Sequence, residues 1–313
     1  MKIFCLPWHC AHIYELVKLP YEFGMMVNSK RSWAYNSRPI PGNVELVPYY
    51  EPGKYDLAIL NVDQQCAHPD IGKGILYREL NELIQDIPKI VINHGSPVWP
   101  EWFAKDQIVK KIKEIIGANQ MVVNSYRAAE EWGWGRPIIH GLDPDEWFDL
   151  PKEARIVTAV SPAGLDTYYN RELFRQTCDI LKHQGIKIIE FRMDIVFKDW
   201  KEYRDFLGRS LIYLDYSKDT PLNRARTEAM LSGCCVVTVA GHDTERFIKD
   251  GENAMLVKNN PNHVAQVLGE LIADYDRCVR IGQAGKEMAK EYFSKERYQN
   301  NWIQLINETI EKK

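Results

Sequence analysis

The chain has no long hydrophobic run, little net charge and no cysteine spacing that organises a metal. No stretch reaches the roughly 18 apolar residues of a membrane-spanning helix. A formal net charge of -3 over 313 residues leaves no basic excess to match a phosphate backbone, which excludes a dedicated nucleic-acid binder. The seven cysteines lie scattered on apolar stretches without a CxxC pair, so they suit reduced packing residues better than disulfides or a zinc site. Internal repeats and low-complexity tracts are also missing. The opening MKIFCLPWHC enters a strand pattern directly, with no basic region followed by a long apolar run, and a cytoplasmic protein is expected.

What is present is an ordinary globular composition, 45% hydrophobic and 27% charged, in a chain long enough for two domains. Short apolar strands alternate with amphipathic helices. Strands are expected at Lys2 to Leu6, Tyr55 to Asn61, Lys89 to Asn93, Gln120 to Asn124 and Pro137 to His140. Helices are expected at Ile13 to Leu19, Ile75 to Gln85, Glu101 to Ile116 and Ser125 to Trp132. Such alternation predicts an α/β fold with parallel sheets covered on both faces. Residues 20–52 mix Tyr21, Trp33, Tyr35, Tyr49 and Tyr50 with Lys30, Arg31 and Arg38, interrupted by Pro39 and Pro41. That segment resists assignment; it suits a saccharide clamp, a lipid-facing surface at the inner face of a membrane, or simple packing.

Gly141 to Phe148, extended by Pro151-Lys152-Glu153, breaks the alternation and marks a domain boundary. The expected division is 1–150, 151–295, and a terminal helix over 296–313 with Tyr298, Trp302, Leu305 and Ile306 on one stripe. The second alternation leads to the most informative stretch, Asp215 to Val257. There a Pro-containing loop, Thr220-Pro221-Leu222-Asn223, opens a helix carrying Glu228. Gly233 stops that helix before the buried strand Cys234 to Val239. A loop at a helix N-terminus offers free N–H groups and a favourable dipole to an anion such as phosphate.

The order of pieces in this stretch resembles the C-terminal domain of GT-B fold glycosyltransferases of the GT4 type (group 1). The pieces are Glu228-Ala229-Met230, Ser232-Gly233, Cys235-Val236-Val237, Gly241 to Glu245, and Asp250-Gly251-Glu252-Asn253 through Leu256-Val257. Asn124-Ser125, Trp132-Gly133 and Ile139 to Pro144 extend the likeness backward. The resemblance implies two Rossmann-like domains with a donor and acceptor cleft between them, a terminal helix packing back toward the first domain, and a retaining, metal-independent enzyme. The implied donor is a nucleotide diphosphate sugar, UDP- or GDP-linked, used as substrate with no cofactor. The implied acceptor is a saccharide, glycolipid or small molecule held by the N-terminal domain.

By the same resemblance, Glu228 accepts bonds from the ribose hydroxyls, and backbone groups of Pro221, Leu222, Asn223 and Arg224 face the diphosphate. Thr220 stands where many relatives carry a first glutamate, and its hydroxyl can still bond a donor-sugar hydroxyl. Ser161 occupies the position of a diphosphate-gripping arginine, Arg171 is the candidate for the accompanying lysine, and Arg224 offers replacement charge. Arg192 and Ser217 are candidates for base recognition. His94, at the end of a strand, resembles the family's histidine at the donor sugar and with Thr220 forms the catalytic pair expected here. Trp8, His9 and His12, in the first strand-to-helix loop, are acceptor candidates. The His9 and His12 spacing lacks a partner for a metal, and Asp143-Pro144-Asp145 reads as a turn. Two alternatives stay open: a catalytically silent nucleotide-sugar-binding or scaffold subunit, motivated by Thr220 and Ser161, and a sugar-nucleotide epimerase on the same fold.

Overall fold

The computed structural model describes residues 1–28, 32–98, 103–159, 169–192, 196–218, 222–241 and 243–312. It divides into two compact units: unit 1, Met1–Gly141 with Lys295–Lys313, and unit 2, Leu142–Ser294.

Among the described residues of unit 1, seven strands form one sheet: β1 Lys2–Cys5, β2 Glu22–Met26, β3 Val44–Val47, β4 Leu57–Val62, β5 Lys89–Asn93, β6 Gln120–Val123 and β7 Arg136–Pro137. Their order is β3-β2-β1-β4-β5-β6-β7, all neighbours parallel. All six residues of β4 are buried, as a central parallel strand covered on both faces requires. The helices are α1 Cys10–Leu16, α2 Gly72–Leu83, α3 Lys105–Ile116 and α4 Tyr126–Trp132. In α3, buried Ile108, Ile112 and Ile116 recur every fourth residue and so share one face. Helix α4 starts where the Ser125 hydroxyl accepts the Ala128 N–H at 2.9 Å.

Several boundaries differ from those read in the sequence. Residues 20–52 contain two further strands, β2 and β3, whose apolar runs are too short to stand out from the surrounding prolines and aromatics. Helix α1 begins at Cys10 rather than Ile13, with His9 as its extended N-terminal neighbour, so His12 lies inside the helix and not in the loop. The strand expected at Pro137 to His140 is the two-residue β7, continued only by the Ile138 N–H bond to the Val123 carbonyl.

Unit 2 holds a five-stranded parallel sheet among its described residues, ordered β12-β11-β10-β8-β9. Its strands are β8 Glu153–Ala159, β9 Ile188–Phe191, β10 Ser210–Asp215, β11 Cys235–Val239 and β12 Met255–Val257. Its helices are α5 Arg171–His183, α6 Trp200–Arg209, α7 Arg224–Leu231, α8 Pro261–Ala273 and α9 Tyr275–Tyr292. Gly233, at φ +72, ends α7 in the left-handed region that suits glycine.

The units meet in sequence at 141/142, nine residues before the expected break at 150/151. Residues 142–150 are fastened to unit 2. The Leu142 N–H bonds the Phe293 carbonyl at 3.1 Å, Arg204 donates to the Glu146 carbonyl at 2.9 Å, and Trp147 packs edge-on against Trp200 and Tyr203. The last helix, α10 Lys295–Glu311, belongs to unit 1. It buries Tyr298, Trp302, Leu305 and Ile306 in the core that contains Ile3, Ile13, Phe23 and Ile92.

Candidate functional site

Both sheets present polar groups at the carboxyl ends of their strands, where open parallel sheets bind ligands. In unit 2 the centre is Asp215, the last residue of β10, which is 2% exposed. Its Oδ1 accepts the Ser217 N–H at 3.0 Å and the Asn223 side-chain amide at 2.8 Å. Its Oδ2 accepts the Thr238 hydroxyl at 3.2 Å and Arg226 Nη1 at 3.3 Å. One carboxylate thus ties β10, the following loop, the start of α7 and β11 together. Asn223 caps α7 by accepting the Ala225 N–H at 3.0 Å, so the helix start is fixed from two directions.

Helix α7 is buried along seven of its positions, polar ones included: Arg224, Arg226, Thr227 and Glu228 all lie inside. Buried charges need partners, and the structure supplies them for Glu228. Its Oε2 accepts the Tyr203 hydroxyl at 2.7 Å, and its Oε1 lies 3.3 Å from Arg224 Nε.

The residues expected at the donor site are distributed as follows. Ser217, Asn223, Arg224 and Glu228 converge on this cluster, whereas Leu222 is a buried apolar neighbour. Arg171 opens α5 beside the end of β10, since Asn170 N–H bonds the Tyr216 carbonyl at 3.0 Å and Tyr169 bridges Ser217. Arg192 follows the edge strand β9, separated from β10 by β8. Ser161, Thr220 and Pro221 lie outside the described residues. Sequence reasoning missed Asp215, Thr238, Tyr203 and Arg226. Asp215 and Thr238 carried a signal, a charged or hydroxylated residue set in an apolar strand, whereas Tyr203 and Arg226 lie in polar helical stretches and carried none.

In unit 1 the corresponding position is His94, directly after β5 and 9% exposed. Its Nε2 lies 2.8 Å from Asn61 Oδ1 and its Nδ1 3.3 Å from the Asn124 amide. These partners fix a neutral ring that donates from Nε2 and accepts at Nδ1. Burial, then the neighbouring His9, His12 and Lys73, hold its pKa well below the usual 6.5. Both ring nitrogens are therefore engaged by the protein itself. The Trp8 ring lies parallel to His94 at 6.1 Å, His9 and His12 meet it edge-on at 5.1 and 5.3 Å, and His140 follows at 6.3 Å from His12. The structure thus brings all three acceptor candidates around His94.

Lys73 pairs with Asp63 and sits 5.6 Å from the Trp8 ring centre. A cavity of about 10 Å³, room for one water, is bounded by His12, His94, Asn124, His140, Tyr298 and Trp302. After His94 the chain must pass close to Gln64. A Cβ on Gly95 would fall 1.9 Å from the Gln64 side-chain oxygen.

Known proteins resemble part of this chain in sequence and all or nearly all of it in fold. Residues 175–304, from α5 into α10, match the family model described as Glycosyl transferase-like. A lipopolysaccharide core biosynthesis glycosyltransferase, LpsE of Rhizobium meliloti, is 26% identical over 112 residues, 35% of this chain and 33% of that relative. The match therefore spans about a third of the curated relative's length. Sucrose-phosphate synthase from Thermosynechococcus elongatus superposes with a TM-score of 0.70 at 13% identity, covering 100% of both chains. Anabaena HepE, solved with UDP and glucose, superposes with a TM-score of 0.69 at 15% identity over 98% of this chain and 100% of that one.

The fold is GT-B, and residues 175–304 of it carry a glycosyltransferase-like sequence. The resemblance drawn from Glu228 to Val257 is to group 1 glycosyltransferases of this fold, and the matched segment contains Asp215, Arg226 and Glu228.

Proposed function

We propose that the chain is a retaining, metal-independent glycosyltransferase that takes a sugar from a UDP- or GDP-linked donor and passes it to a saccharide or lipid-linked acceptor. The observation that carries this reading is Glu228, a buried carboxylate held by Tyr203 and Arg224 on the helix that follows β10. A carboxylate, which only accepts, matches the paired hydroxyl donors of a ribose. The start of α7 supplies N–H groups and a positive dipole end for the departing diphosphate, whose growing negative charge is stabilised most at the transition state. Anabaena HepE, of the same fold, was solved with UDP-glucose, which supports a nucleotide-sugar donor.

In unit 1, Trp8 with His9 and His12 forms an aromatic and imidazole surface suited to an acceptor saccharide. His94, neutral and held by Asn61 and Asn124, is the proposed catalytic-side histidine, together with Thr220. A neutral His94 contributes polarity without a fixed positive charge. Contact with a membrane surface by an acceptor-bearing lipid belongs to the same proposal.

The test is thermal shift with UDP- and GDP-sugars, followed by a donor-hydrolysis assay. The wild type is expected to bind one nucleotide series, to discriminate against its 2′-deoxy analogue and to release the sugar. Glu228→Ala is expected to lose both the affinity and the 2′-deoxy discrimination. Nucleotide binding unchanged by Glu228→Ala overturns the assignment. Binding without turnover with any acceptor favours the silent nucleotide-sugar-binding subunit instead.

A further inference from the structure

Arg226 is the one arginine of α7 that the donor reading has not used. It is 1% exposed, and its guanidinium lies 5.2 Å from the Phe247 ring centre. Among the described residues its one hydrogen bond, from Nη1 to Asp215, is long at 3.3 Å. Asp215 also satisfies the Ser217 N–H, the Asn223 amide and the Thr238 hydroxyl, so its charge is divided among four donors. Arg226 Nε and Nη2 are buried and find no acceptor among the described residues. A buried guanidinium with unused N–H groups is costly, and such groups in native proteins are normally satisfied by a ligand or an ion where protein offers nothing.

The direction of the side chain is set by its partner. The carboxylate that holds Arg226 also holds Asn223, the cap of the eight-residue helix α7, so the guanidinium sits at that helix's N-terminal end. Helix dipole and guanidinium charge therefore add at one place. An arginine fork presents parallel N–H groups matched to the oxygens of a phosphate or carboxylate. At the same time Ser161 stands where the resemblance has an arginine, so the chain lacks one expected cation.

We propose that Arg226, through Nε and Nη2, binds an oxyanion of the donor at the start of α7. The inference rests on the reading of unit 2 as a nucleotide-sugar site. Two parts of a donor carry the required chemistry, its diphosphate and a carboxylate on its sugar, and affinity ratios separate them.

Calorimetric titration of the wild type, Arg226→Gln and Arg226→Lys with uridine, UDP, UDP-glucose and UDP-glucuronate is the experiment, with the guanosine series alongside. If the diphosphate is the ligand, Arg226→Gln lowers the UDP-to-uridine affinity ratio about tenfold or more, and Arg226→Lys lowers it less. If the sugar carboxylate is the ligand, the UDP-glucuronate-to-UDP-glucose ratio falls by a similar factor. The nucleoside reference cancels general damage, and Arg226→Lys, which retains a cation for Asp215, carries the test where Arg226→Gln does not fold. Both ratios unchanged in variants that still bind nucleoside overturn the inference and leave the donor reading standing. A wild type that binds none of the nucleotides removes the donor reading itself, and the inference with it.

Discussion

The two units place different kinds of polarity at the ends of their sheets. Unit 2 buries full charges: Asp215 with Arg226, and Glu228 with Arg224. Unit 1 buries a neutral ring, His94, between two asparagines and beside further imidazoles. Charged pairs hold geometry at the cost of desolvation, so removing one partner strands the other. A neutral imidazole carries no such penalty at neutral pH but becomes a liability when protons are supplied. One unit is thus sensitive to the loss of a partner and the other to acid.

The contrast is broken most directly by Asp215→Ala, which leaves the buried Arg226 without a counter-charge and removes the anchor of the Asn223 cap. A loss of about 3–5 kcal/mol is expected, read as the unfolding free energy in urea. A loss below about 1 kcal/mol would show that the pair is not what holds the start of α7. Tyr203→Phe removes the hydroxyl that donates to Glu228 and should cost about 1–3 kcal/mol, with nucleotide affinity falling alongside stability. Stability lost with nucleotide affinity intact would separate the Tyr203 bond from ligand binding.

Acid sharpens the other side. His94 is neutral in both folded and unfolded chains well above pH 6.5, its ordinary value. As the pH falls below that, the unfolded chain takes up a proton that the folded site, with its depressed pKa, refuses. Stability is therefore lost as the pH drops toward the folded pKa, by up to about 1.4 kcal/mol per pH unit. His94→Gln should remove this part of the slope between pH 7 and pH 5 in thermal melts; an unchanged slope would assign the acid sensitivity to other groups. The groups facing His94 are His9, His12, Lys73, Asn61 and Asn124. The smallest effect is expected from Thr238→Val, which withdraws one of four donors from Asp215 at nearly constant shape, about 0.5–1.5 kcal/mol. A larger loss would mean that the Asp215 donors act as a unit.

Much of the fold was legible because parallel strands write themselves as apolar runs, and β4, β5, β6 and β11 all did so. Strands β2 and β3 did not, being short and flanked by aromatics and prolines. Glu228 was legible through the order of small, glycine and strand residues behind it. Its partner Tyr203 was not, because the two lie 25 residues apart and meet only when α6 packs near α7. The same limit hid Asn61 and Asn124, which reach His94 from 33 and 30 residues away on neighbouring strands. Arg226 was not singled out, since nothing in Arg224 to Ser232 indicates that α7 is buried along most of its length. The unit boundary was misplaced for a related reason: the fastening of residues 142–150 depends on Arg204, Gly208 and Phe293, all remote in sequence.

Helix α10 has a consequence for the order of synthesis. Residues 142–294 emerge as an unbroken stretch and can close their core as soon as they leave the ribosome. Unit 1 cannot, because the apolar surface that Trp302, Leu305 and Ile306 cover stays wet until the chain has passed residue 295. The first unit to be translated is therefore the last to be finished.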